Sequence, residues 1–197
     1  MPVSRTIVVV IIATIALGSA AASAVVQQER LFPNTKKNGR ATVEYRNEGF
    51  KVVANYDYSQ RNHATPWLLI DIAVASERRL VLHRDHIRLV TGAGQELRVA
   101  AQQALIADSA RLRVVVQNAT IFRRQLDSYF SQRSPEPLKF YSFPGDGIVH
   151  NEAIVDNDHV TMGELFFKTP EGRWPDGTYR LVIDHENAKA ELPITLQ

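Results

Sequence analysis

The sequence contains no cysteine. Disulfides and thiolate metal sites are therefore excluded, and stability has to come from burying a core. A bacterial lipid anchor is excluded too, since it needs a Cys at the cleavage point. An excess of charge of either sign is also missing. The chain has 23 Lys plus Arg against 21 Asp plus Glu, so its sequence pI near 9.0 reflects a narrow surplus of base. Nucleic-acid binding needs a concentrated basic footprint, and no nucleic-acid partner is expected. Internal repeats and low-complexity tracts are absent, and beyond residue 24 no apolar run is long enough to span a bilayer.

The first 24 residues differ in kind from the rest. Arg5 is their only charge, an apolar run extends from Ile7 to Leu17, and the small-residue stretch GSAAASA follows. These are the parts of a secretory signal peptide. Ala22-Ser23-Ala24 fits the cleavage site, and a cut after Ala22 fits almost as well. Membrane contact is expected only through this segment, were it left uncleaved. Residues 25–40, polar with Pro33 and Gly39, read as a flexible lead-in.

From Ala41 the texture is that of strands. ATVEYR and FKVVANYDY flank a turn at Asn47-Glu48-Gly49, and WLLIDIAVA (67–75) is apolar enough for a central strand buried on both faces. RLVLHRDHIRLV, TGAG and QELRVA read as strand, turn and strand. The G-x-G is thus a hairpin turn, because a phosphate loop would lead into a helix. On that reading His83 and His86 fall on opposite faces of a strand, which disfavours an H-x-x-H metal pair unless a bulge intervenes.

Residues 108–132 break the pattern. Asp108-Ser109 opens a helix in which Leu112, Val116, Ala119, Phe122, Leu126, Tyr129 and Phe130 recur at helical spacing. One amphipathic helix packed on a sheet is expected, with Arg113 and Arg124 on its polar face as candidate partner contacts. Ser134-Pro135-Glu136-Pro137 ends it. Strand texture resumes with LKFYSF, GIVHNEAIV, HVTMGELFFK, GTYRLVID and AELPITLQ.

Two chemical candidates stand out. The stretch 145–164 concentrates Asp146, His150, Glu152, Asp156, Asp158, His159 and Glu164. Such oxygen and imidazole donors suit calcium or zinc, with Asp156, Asp158, His159 and His150 as candidate ligands for a metal-binding domain or metal-dependent hydrolase. A solvated hairpin loop explains the same composition. Trp174, in the Pro/Gly-rich TPEGRWPDG loop, is the candidate platform of a carbohydrate-binding module. An indole folded back into the core is the competing reading. No serine sits in a nucleophile elbow, and no catalytic residue or cofactor is assigned.

PDGTYRLVIDHENAKAELPITL (175–196) resembles the last two strands of bacterial immunoglobulin-like domains, with Asp176, Gly177 and Tyr179 in their D-G-x-Y pattern. MGELFFKTPEGRW is similar to strands of exported immunoglobulin-like proteins of unassigned function. The resemblance implies Tyr179 as a tyrosine-corner analogue and assigns no catalytic residue. The chain departs from the family by lacking the Cys pair and by its helical insert. The sequence thus predicts a mainly β chain over 41–197: an antiparallel, immunoglobulin-like β-sandwich with one amphipathic insert at 108–132. Its expected role is a non-enzymatic binding or structural module of the bacterial envelope, periplasmic or secreted, whose partner is another envelope or secreted protein.

Overall fold

The computed structural model describes residues 31–122, 126–130 and 132–197. The leader, residues 25–30 of the lead-in and Arg124 lie outside them. The chain divides into Met1–Asn34 and Thr35–Gln197, and the fold described below belongs to the second unit. Among the described residues no helix is long and apolar enough to cross a membrane.

The unit is mainly β. A six-stranded sheet has the order β1 (Thr35–Asn38), β2 (Thr42–Asn47), β3 (Phe50–Asn55), β4 (Trp67–Ser76), β10 (His159–Lys168), β8 (Ser134–Leu138). A four-stranded sheet runs β12 (Ala188–Leu196), β11 (Gly177–His185), β6 (Ile87–Val90), β7 (Glu96–Arg98). A ribbon pairs β5 (Leu80–His83) with β9 (Glu152–Val155).

Period-two alternation on β4 explains the layering. Leu68, Ile70, Ile72 and Val74 enter a core that also takes Leu181, Ile183, Leu192 and Ile194 from the four-stranded sheet. The alternate residues face the other way, Trp67 and Leu69 into one cluster, Ala73 and Ala75 into another. A strand covered on both faces reads as a continuous apolar run, and so WLLIDIAVA does. Full burial of each large side chain contributes about 1.5–3 kcal/mol.

The outer cover is helical, but not as one helix. α1 (Asp57–Arg61) follows β3, while α2 (Gln102–Ala107) and α3 (Ser109–Ala119) meet at Asp108. Helical structure therefore begins before Asp108 and breaks there, where Asp108 has a φ of −119° and ψ of 21° and its carboxylate accepts the Trp67 indole N–H at 2.6 Å. Leu112, Val115 and Ala119 pack on Trp67, Leu69 and Phe166. Two 3-10 turns, Thr120–Phe122 and Leu126–Tyr129, continue the insert, and Leu126 and Phe130 are buried against β3 and β4.

Other expectations are corrected. Thr35–Asn38, expected in the lead-in, is a strand paired with β2 across a turn at Gly39, whose φ is +75°. Asn38 Nδ2 donates to Glu44 at 3.1 Å. FKVVANYDY leaves the sheet at Asn55, whose side chain accepts the Asp57 N–H and starts α1. RLVLHRDHIRLV is not one strand, since the 3-10 turn Arg84–His86 sends β5 and β6 to different sheets.

The strand after the insert is SPEPL, not LKFYSF, and it runs parallel to β10 in an otherwise antiparallel fold. Ser134 N–H bonds Asp158 O, so the amides of 134, 136 and 138 face β10. Pro135 and Pro137 then face outward, where a missing N–H costs the ladder nothing. Gly163 allows the approach: a Cβ there would lie 2.5 Å from Leu138 O.

Candidate functional site

Val81 and Ile154 are cross-strand partners on the β5–β9 ribbon, and both are about half exposed, 46% and 48%. Their neighbours Leu80, Leu82 and Val155 are buried. The ribbon thus turns one apolar face to the core and presents another apolar pair outward. That pair lines a groove of about 930 Å³. Glu136 and Pro137 of β8 and the β11–β12 turn, His185 to Asn187, also line it. Arg79, Lys139, Glu152 and Asp156 add charge, and His150 and His159 add imidazoles.

The groove gathers three of the four candidate metal ligands, His150, Asp156 and His159. Asp158 is exposed on the turn and does not line it. Within the turn the Asp156 carboxylate is already occupied. Its Oδ1 accepts the backbone N–H of Asp158 at 3.0 Å and of His159 at 2.9 Å, and lies 3.1 Å from His159 Nδ1. Burial raises its pKa, but the backbone and ring hydrogen bonds from His159 and the Asp158 N–H together outweigh this and hold the carboxyl below its ordinary 3.8. Glu164, from the same acidic stretch, sits elsewhere, opposite Asp71 in the β4–β10 ladder. Among the described residues no group of three or more His, Cys, Asp or Glu is placed to hold a metal ion. Short spacing put these donors together in sequence, and the hairpin turns them to different tasks.

The turn role gives a contrast that a shared metal site does not. Asp156→Ala removes an acceptor from two backbone amides and is expected to cost about 1–2 kcal/mol. Asp158→Ala, on an exposed carboxylate, should stay within about 0.5 kcal/mol of the parent. Urea melts at neutral pH check both values. Because the folded pKa of Asp156 is lowered, its contribution is full above the ordinary value and fades as pH falls through the folded one.

His159 stands between two carboxylates, with Nε2 3.9 Å from Glu136 Oε1. An oriented imidazole suits general-base work where a nucleophile, a side chain or a water, lies beside it. The nearby Thr161 hydroxyl instead donates to Ile154 O at 2.8 Å. The groove sets an apolar strip between mixed charges.

The other candidates fall outside the groove. Trp174 is buried, its indole N–H donating to Pro66 O at 3.2 Å and its ring edge-to-face with Tyr179 at 5.4 Å. It is not a surface platform, because its indole and backbone N–H groups bond Pro66 O and His63 O and hold the ring against the segment that enters β4. Arg113 is exposed and lies over the Phe143 ring, 4.5 Å from its centroid. Arg124 lies outside the described residues. Sequence reasoning missed Val81 and Ile154, because a valine inside LVLH read as one more residue of a long strand. Comparison with protein-family models, with curated proteins and with solved structures returned no match.

Proposed function

We propose that this protein is an exported, non-enzymatic binding module of the bacterial cell envelope, an immunoglobulin-like β-sandwich that holds an extended segment of another exported protein. The observation that carries the reading is the outward-facing Val81–Ile154 pair on the floor of the groove. Exposed apolar side chains scattered singly are ordinary, whereas an in-register pair inside a groove offers a surface that gains by being covered.

The strand edges support the same choice of surface. Strand addition needs unpaired N–H and C=O groups. At the β8 edge Pro135 and Pro137 face outward without N–H groups. The opposite edge, β1, carries Lys36 and Lys37, and β12 carries Pro193. Proline and lysine are how sheets blunt such edges. The remaining edge, β7, is three residues long with Glu96 and Arg98 exposed, whereas the ribbon has no third ladder partner among the described residues and an outward apolar pair.

For the immunoglobulin-like reading, support comes from the common core of the two sheets and from Tyr179, whose hydroxyl donates to Pro175 O at 2.8 Å, four residues upstream. A tyrosine corner makes this bond. Export rests on the leader pattern of residues 1–24.

A photo-reactive residue at Val81, in cells that export the chain, is expected to give a discrete protein adduct that Ile154→Glu abolishes. The same probe at Lys36 should give none. Equal adducts at both positions, or none at Val81, count against the groove.

A further inference from the structure

Three histidines, of which His185 alone lines the groove, meet where β6 lies beside β11. His83 and His86 bracket the 3-10 turn between β5 and β6, and His185 ends β11. Their rings form a chain, His83 to His86 at 5.9 Å between centroids and His86 to His185 at 5.1 Å. In each ring Nδ1 accepts a backbone N–H: His83 from Asp85 at 3.2 Å, His86 from His83 at 3.1 Å, His185 from Asn187 at 3.1 Å. The first two bonds close the 3-10 turn on itself, and the third closes the β11–β12 turn.

We propose that His83, His86 and His185 form an acid-operated latch, in which protonating the imidazoles releases the hydrogen bonds of two adjoining turns, the one before β6 and the β11–β12 turn that lines the groove. An imidazole that accepts through Nδ1 carries its one hydrogen on Nε2 and is neutral. The imidazolium has donors at both nitrogens and no acceptor, so each protonation breaks a backbone bond. Placing further charge on adjacent rings then adds repulsion.

The charges around the cluster are mixed. Asp85 Oδ2 lies 3.5 Å from His83 Nδ1 and is, among the described residues, the carboxylate in direct contact with the cluster. Asp184 is held by Arg88 and Lys189, each at 3.2 Å, and Arg88 also meets Glu96. Glu152 stands opposite His83 in the ribbon. For His86, burial first, then His185 and His83, outweigh Asp85 and Asp184 and hold its pKa below the ordinary 6.5. A lowered folded value means that its contribution is complete above the ordinary pKa. It declines as pH falls from there to the folded value and is gone below it.

The same bonds disfavour a metal at this cluster. A ligating imidazole needs one nitrogen free of hydrogen to give to the metal, and here every Nδ1 lone pair already holds an amide. The latch also acts on the groove whatever occupies it. β5 carries Val81 on the groove floor, and His185 to Asn187 line the groove beside it.

The test compares the chain with a variant carrying His83→Asn, His86→Asn and His185→Asn. An Asn Oδ1 sits close to where Nδ1 was and accepts the same N–H without titrating. Both should melt within a few degrees of each other at pH 8. Between pH 8 and pH 5 the parent is expected to lose roughly 5 °C more than the variant. Equal losses overturn the latch, and so does a zinc-dependent rise in the parent that the variant lacks. Should the variant not fold, nitrogen NMR of the parent decides. A joint transition of the three rings and the amides of His83, Asp85 and Asn187 supports the latch. Rings already protonated at Nδ1 at pH 8, or amides that do not move, overturn it.

Discussion

Replacing Trp174 with alanine is expected to lower the melting temperature by roughly 6–20 °C, at about 3–5 kcal/mol for a buried tryptophan and 2–4 °C per kcal/mol. The indole is 2% exposed and makes an edge contact with Tyr179. Its ring N–H bonds Pro66 O, and its backbone N–H bonds His63 O at 2.9 Å. Those bonds tie the TPEGRWPDG loop to the segment that enters β4, so the substitution opens a cavity and loosens the loop together. Trp174→Phe keeps most of the apolar contact and should cost only about 1–2 kcal/mol. The result bears on carbohydrate binding. A glycan signal lost in Trp174→Ala would report a damaged core, and only a variant that melts within about 2 °C of the parent would return the indole to the surface.

The parts of the fold legible in the sequence are those where one local pattern decides the outcome. β4 is apolar at nearly every position because both of its faces are covered, and β11 and β12 alternate around a short turn at Glu186-Asn187. β8 was hidden because Pro135 and Pro137 read as breakers. Only a tertiary fact, that they lie on the free side of an edge strand, makes them acceptable. β1 was hidden for a related reason, since an exposed edge carries little apolar signal. The insert was legible as amphipathic but not as broken, because Asp108 also serves as an acceptor for Trp67 of β4, far away in sequence.

The site was less legible than the fold. The acidic stretch 145–164 drew attention by composition, yet composition does not reveal that Asp156 is occupied by its own turn. Val81 and Ile154 lie more than seventy positions apart in sequence and become a surface only through strand register. The histidines carry the clearest lesson. A straight strand would send His83 and His86 to opposite faces, and the 3-10 turn brings their rings together with a third from β11.

Trp67→Ala should be as damaging as the loss of Trp174, but in a different place. Trp67 is fully buried, packs edge-to-face with Phe166 at 6.5 Å, and lies under Lys168 Nζ at 5.0 Å. Its indole N–H is the bond that holds Asp108 between α2 and α3. Removing the ring deletes the centre of the cluster formed by Leu105, Leu112 and Val115 and frees a carboxylate that Lys168 and Arg111 approach only at 3.9 and 3.8 Å. A loss of about 3–5 kcal/mol is expected. Trp67→Phe, keeping the apolar contact but not the N–H to a charged acceptor, should lose about 1.5–3 kcal/mol. Hydrogen exchange separates this from general weakening. Amides of α2 and α3 should open by a sub-global route in Trp67→Ala, while those of the β11–β12 hairpin stay tied to global unfolding. Equal acceleration of both would mean that the helices are part of the core's cooperative unit and that the indole does more than fasten them to the outer face of the sheet.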